Sequence, residues 1–218
     1  MKRIGFALLF WFGCSFAGAQ VSADAHALAA KVDDHYNHLT SLRASYTEHY
    51  SGMGQKRTET GVLLLRKPGR MRWTYSDGKL FVLDSKFATS YTPGDAQATR
   101  VPSKQLDDMR SPLRFLLGHT KLEKELDGLK ATPAAGGDVT LAGMPHYAVS
   151  PGDQRVQKIA VTVAPATGVI TGLRIEEIDG TVTEFAFRDM QENVPAADSD
   201  FKFVPPAGVT VVDGLPPA

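Results

Sequence analysis

The side chains that could do chemistry are few and scattered. His35 and His38 stand three apart, a spacing that puts two imidazoles on one helix face, and His49 could complete a metal site with them. The same pair equally suits a half-exposed helix face. Asp107 and Asp108 could form an acidic pair, but neighbours on a helix point about 100° apart, which fits a solvated surface better. Gly52-Met53-Gly54 lacks the third glycine of a dinucleotide fingerprint and reads as a turn. The chain contains no G-x-S-x-G elbow, no H-E-x-x-H and no phosphate-cradling Gly-Lys-Ser/Thr loop. The basic run Arg66, Lys67, Arg70 and Arg72 is the most prominent cluster, and a solvated strand face is its simplest reading. No catalytic set emerges and no cofactor is implied, so the expectation is a binding protein and not an enzyme.

The elements that hold these residues read as helix, strands, a helical insert, then strands. From Ala23 to Leu39 the apolar residues Leu28, Val32, Tyr36 and Leu39 recur at helical spacing, with Asp24 as a candidate N-cap. From Ser41 the period changes to two, with Ala44, Tyr46, Glu48 and Tyr50 on one face. Further strands are expected at Gly61 to Lys67, Met71 to Tyr75, Leu80 to Asp84 and Phe87 to Tyr91. Turn signals separate them at Pro68-Gly69, Ser76-Asp77-Gly78 and Pro93-Gly94-Asp95. Ser103 to Gly118 breaks the pattern: Ser111-Pro112 is a helix start, and Leu113, Phe115, Leu116 and Leu117 crowd behind it with little polar cover. Ala131 to Gly137 reads as a loop. Strands resume at Pro145 to Ser150, Lys158 to Val163, Ile170 to Ile178 and Thr181 to Arg188, the last two joined by the strong hairpin signal Asp179-Gly180. The Pro-rich tail from Val194 offers Phe201, Phe203, Val209, Val211 and Val212 as packing points.

The chain has 218 residues, 24 basic and 24 acidic side chains, six His and one Cys. A balanced charge argues against nucleic-acid binding, which needs surplus Lys and Arg to neutralise phosphates. Lys2 and Arg3, an apolar run from Ile4 to Phe12, and Ala17-Gly18-Ala19 together read as a signal peptide over residues 1–19. The run is too short to span a bilayer. Residues 20–218 are then expected as one domain, with both leader charges and the lone Cys14 removed. A competing reading takes Cys14 as a lipidated first residue, but Trp11 and Phe12 are bulky where such signals use smaller side chains.

A sheet with one apolar face, a greasy helical insert and no catalytic set suggests a cavity for an acyl chain. Particular stretches carry a resemblance that fits this. Leu63-Leu64-Leu65-Arg66-Lys67-Pro68-Gly69-Arg70-Met71-Arg72-Trp73 has the form of a strand followed by a basic-Pro motif. Asp84-Ser85-Lys86 with Tyr91-Thr92-Pro93, Ser41-Leu42-Arg43-Ala44-Ser45-Tyr46, and the helix start Ser111 to Gly118 also match family motifs, as does the ending Phe201 to Asp213. In their order and spacing the chain resembles the LolA family of periplasmic outer-membrane lipoprotein carrier proteins, over essentially the whole mature length.

The resemblance implies a mostly β fold with α, an incomplete antiparallel β-barrel with a helical lid. It implies a soluble, monomeric periplasmic carrier. Such a carrier takes lipoproteins from an inner-membrane ATP-driven exporter, shields their acyl chains, and passes them to an outer-membrane receptor. The alternatives are an outer-membrane receptor lipoprotein of the same fold, or a lipid- or lipoprotein-sensing regulatory module. The family's cavity-mouth Arg falls on Lys67, which keeps the charge but loses the planar fork of donors. Its aromatic cavity positions fall on Met71 and Trp73. With these, Leu63, Leu65, Leu83 and Tyr91 are expected to line the acyl cavity, and Leu113, Leu116 and Leu117 to form its lid.

Overall fold

The computed structural model describes residues 20–103, 121–146 and 155–214. Twelve strands form a single open, curled sheet in the order β12-β6-β5-β4-β3-β2-β1-β11-β10-β9-β8-β7. The strands are β1 (Ser41–Gly52), β2 (Gln55–Arg66), β3 (Arg70–Tyr75), β4 (Leu80–Asp84), β5 (Phe87–Tyr91) and β6 (Gln97–Pro102), then β7 (Leu126–Pro133), β8 (Val139–Pro145), β9 (Val156–Ala164), β10 (Val169–Glu177), β11 (Val182–Glu192) and β12 (Thr210–Asp213). Helix α1 (Gln20–His38) precedes them, and a short helix α2 (Leu122–Glu125) leads into β7. The mostly β fold built on an unclosed barrel agrees with the sequence reading. The helical insert expected to supply Leu113, Leu116 and Leu117 lies outside the described residues.

Alternation decides the two faces. In β1, Leu42, Ala44, Tyr46 and Glu48 are buried while Arg43 and His49 are exposed. The inner face continues through Leu63 and Leu65 of β2, Met71 and Trp73 of β3, and Leu141, Val161, Leu173 and Phe187 on the far side of β1. Helix α1 packs its Ala25, Ala29, Val32 and Tyr36 into this cluster, each no more than 2% exposed. Their four-three-four spacing is one helical stripe.

Specific bonds fix α1 in place. The Tyr36 hydroxyl accepts the Ile170 N–H at 3.1 Å, where a register shift interrupts the β9–β10 ladder. Lys31 Nζ donates to the Pro165 and Ala166 carbonyls of the β9–β10 turn. The Asp33 carboxylate accepts the Leu122 N–H, so α1 caps α2.

The outer face has its own cover. Arg66, Arg70 and Arg72 are its basic stripe, and the C-terminal segment crosses it. Arg66 donates to the Ala196 carbonyl and pairs with the Asp198 carboxylate, while Arg72 donates to the Asp200 carbonyl at 3.2 Å. Hydrogen bonding from Arg66, aided by Arg70, holds the Asp198 carboxyl below its usual range. Phe201, wholly buried, sits over β3 and β4 beneath the Arg66 guanidinium, 5.3 Å from its ring centre. The basic run is therefore no solvated face. Beyond it, β12 pairs with β6 in parallel, the one non-antiparallel ladder among the described strands.

Several expected boundaries move. The first helix already includes residues 20–23, so Asp24 lies within it and not at its N-cap position. β6, β7, β8 and β12 were not legible as strands, and Ala131 to Pro133, read as loop, closes β7. Of the strand expected at Pro145 to Ser150 only Pro145 is strand, at the end of β8; residues 147–150 lie outside the described region. β7 shifts register between Asp127 and Lys130, where Gly128 takes a positive φ of 63°. In the tail, Phe201 is buried as expected but Val211 is exposed.

Truncating the outer-face anchor tests this account. Phe201→Ala is expected to cost about 3–5 kcal/mol in urea denaturation. A loss below about 1 kcal/mol would show that the segment merely rests on the sheet.

Candidate functional site

The inner wall is built from cross-strand neighbours. Leu63 stands opposite Ala44 on one side and Trp73 on the other, and Leu65 opposite Leu42 and Met71. Leu83 of β4 then faces Met71. Trp73 Nε1 points at Met71 Sδ, 2.8 Å away. Tyr46 meets Trp73 edge-on with ring centres 4.5 Å apart, and Phe185 extends the aromatic surface to Phe187. Leu63, Leu65, Met71 and Trp73 are each at most 3% exposed, and Leu83 is half-buried.

Lys67 sits at the rim of this wall. Its Nζ donates to the Tyr36 and Asn37 carbonyls, the last turn of α1. An ammonium is well matched there, because the end of a helix leaves unpaired carbonyls and a partial negative charge. Burial pulls the Lys67 ammonium below its usual value. The β2 register is unbroken, so Arg66 faces outward and cannot substitute.

Six of the expected site residues are thus brought together: Leu63, Leu65, Lys67, Met71, Trp73 and Leu83. Tyr91 is not with them. It lies on the outer face against Phe203, ring centres 5.6 Å apart. The reason is register: Ala88 stands opposite Leu83, and Tyr91 is an odd number of residues further along β5. Leu113, Leu116 and Leu117 lie outside the described residues. The three histidines do not converge: His35 pairs with Glu192 at 2.9 Å, His38 with Asp34 and His49 with Thr58.

The sequence reading missed the polar end of the same wall. Glu48 is 8% exposed and stands directly opposite Glu59. Glu59 is paired to Lys79 and lies 3.6 Å from Arg57 Nε. Lys79 Nζ also lies 4.8 Å from the Tyr75 ring centre. Among the described residues, Glu48 has only the Tyr75 hydroxyl, at 3.5 Å. Burial, and then Glu59, pushes its carboxyl up. The available signal was a carboxylate in the apolar phase of β1.

One open sheet with an apolar aromatic inner face, and a helix held over it by a basic rim residue, define the class of fold. A family model described as outer membrane lipoprotein carrier protein LolA matches residues 37–204, and the chain belongs to that family. An outer-membrane lipoprotein carrier protein of Chromobacterium violaceum is 26% identical over 200 residues, covering 91% of this chain and 93% of its own. One of Pseudoalteromonas translucida is 26% identical over 217 residues, covering 98% of each. In structure, an uncharacterized conserved protein from Thermus thermophilus aligns with a TM-score of 0.55 at 13% identity, over 87% of this chain and 99% of that one. That likeness shows the fold.

Two outcomes test the site. Lys67→Met is expected to lower stability by about 1 kcal/mol and to speed amide exchange in the last turn of α1, with Lys67→Arg restoring protection. Unchanged exchange would dismiss the latch. For Glu48, the native carboxyl holds its proton to higher pH than the unfolded chain does. Its contribution is full below the unfolded value of 4.5 and is lost as pH rises through the native one. Glu48→Gln should therefore gain on the wild type as pH climbs from about 4 to about 7, in thermal melts across that range.

Proposed function

We propose that the protein is a periplasmic carrier that binds the acyl chains of lipoproteins released from the inner membrane and delivers them to the outer membrane. The observation that carries this reading is the apolar aromatic inner face under α1, in a chain belonging to the carrier family. The leader read over residues 1–19 supports export to the periplasm, and curated relatives bear the name of outer-membrane lipoprotein carrier. An inner-membrane ATP-driven exporter supplies the cargo and an outer-membrane receptor accepts it, and the carrier performs no bond-making step of its own.

The energetics suit transient holding. Burying an acyl chain yields about 0.8 kcal/mol per CH₂, so sixteen carbons are worth on the order of 12 kcal/mol. A carrier that kept all of this would not release its load. Here the wall residues Leu63, Leu65, Met71 and Trp73 are already buried against their own chain. An entering acyl chain displaces protein contacts before it makes its own, and only the difference remains as affinity.

The mature protein, added to inner-membrane vesicles that carry the exporter and ATP, should release lipoprotein into the supernatant. No release would refute the carrier role. Mass spectrometry of the native N-terminus separates the receptor alternative: Gln20 at the start accords with a free carrier, an acylated Cys14 with a receptor.

A further inference from the structure

Tyr46 is 3% exposed, and its enclosed hydroxyl has no hydrogen-bond partner among the described residues. An enclosed phenol normally finds one. The fold makes room for this group. Tyr46 stands opposite Gly61, and a Cβ there would come within 2.6 Å of the Tyr46 hydroxyl and 2.2 Å of the Thr74 carbonyl. Gly61 in turn stands opposite Tyr75. Burial, together with Tyr75 and Glu48, raises the Tyr46 phenol far above its ordinary value, so it is always a donor.

Two residues along β1, Glu48 shares this neighbourhood. The groups facing it are few. From β2 come Glu59 and Arg57, and from β3 Tyr75. Lys79, with Asp77 behind it, comes from the turn after β3, and β11 places the uncharged Phe185 opposite. Lys79 and Arg57 are spent on Glu59. Among the described residues Glu48 therefore has no ion pair of its own, and its carboxyl accepts from the Tyr75 hydroxyl. The Tyr46 and Tyr75 hydroxyls and the Glu48 carboxyl gather at one end of an apolar wall. From Gly61 the wall runs through Leu63 and Leu65 to Lys67, about 20 Å at ~3.3 Å per residue. That is close to the length of an extended sixteen-carbon chain.

We propose that Tyr46, Tyr75 and Glu48 form a headgroup subsite that binds the uncharged ester or amide carbonyl of an acylated ligand. The Tyr46 hydroxyl, an enclosed donor without an acceptor among the described residues, fits a carbonyl oxygen. A carboxylate headgroup meets Glu59 and Glu48, and an ammonium meets Lys79 already in place. This subsite rests on the carrier reading, with the tail along the inner wall and the carbonyl at its polar end.

The test compares four sixteen-carbon probes at neutral pH: a monoacylglycerol, a diacylglyceryl lipopeptide, the fatty acid anion and the alkylammonium. Both ester probes should bind about tenfold more tightly than either charged probe, one hydrogen bond's worth of discrimination. Tyr46→Phe should weaken the esters about five- to tenfold, leave the charged probes unchanged, and keep or raise the melting temperature, since it removes a partnerless hydroxyl. Glu48→Gln should retain ester binding, because its amide oxygen still accepts from the Tyr75 hydroxyl. Either order between the two ester probes supports the subsite and tells a lipoprotein source from a free glycerolipid. Equal binding of all four, tighter binding of the ammonium, or a Tyr46→Phe variant with wild-type ester affinity overturns the subsite while the carrier reading stands. Failure of every probe to bind overturns both.

Discussion

The pairing of β1 with β11 is the interaction on which the rest of this molecule depends. β1 is bonded along both edges, to β2 through a local hairpin and to β11 from the far end of the chain. Without the second ladder the chain would be two unrelated meanders, one from β1 to β6 and one from β7 to β11. With it, Tyr46 of the first meets Phe185 and Phe187 of the second, and a continuous inner face exists for α1 to cover. The ladder is exacting. Side chains alternate with a period of two, so a slip of one residue that leaves Tyr46 inward would turn Phe187 outward and bring Arg188 in. It is also expensive in chain entropy, since its partners lie some 140 residues apart in sequence. The apolar burial beneath α1 is what offsets that cost.

A short basic run shows how one stretch of sequence can serve both faces. Leu65, Lys67 and Met71 look inward, while Arg66, Arg70 and Arg72 look outward. The inward cation closes the end of α1; the outward ones hold the C-terminal segment through two backbone carbonyls and one carboxylate. Neither role is visible from charge alone. A solvated strand face would have the same composition, and only the folded partners distinguish the two.

Much of the fold was legible because local chemistry and tertiary structure agree. β1 to β5 alternate clearly and are separated by Pro68-Gly69 and Ser76-Asp77-Gly78, and Asp179-Gly180 announces the β10–β11 hairpin. β6, β7 and β8 carry weak signals: QATRVP and LDGLKATP are polar, and VTLAGMP is small and broken by glycine. These segments are strands because neighbours offer them hydrogen bonds, a constraint that arises only on folding. The wall residues Leu63, Leu65, Met71 and Trp73 were readable for the same reason as their strands. Tyr91 was not, since alternation says that faces differ without saying which face is inside. That is settled by the β4–β5 register, which no residue type encodes. Glu48 was overlooked because it sits in a regular alternating pattern, where the eye registers the period and passes over the one carboxylate in the apolar phase.

An unclosed sheet has two raw rims, and here they are β7 and β12. Each is a row of main-chain groups along which a strand from another copy could zip, building ribbons of protein joined edge to edge. The kink at Gly128 interrupts the first rim near its start, and Pro133 ends it without a donor. The second rim is four residues long and runs parallel to its neighbour. Among the described residues, an invading strand finds no long, flat template on either side. The fold leaves its sheet open, and these interruptions work against its rims meeting edge to edge.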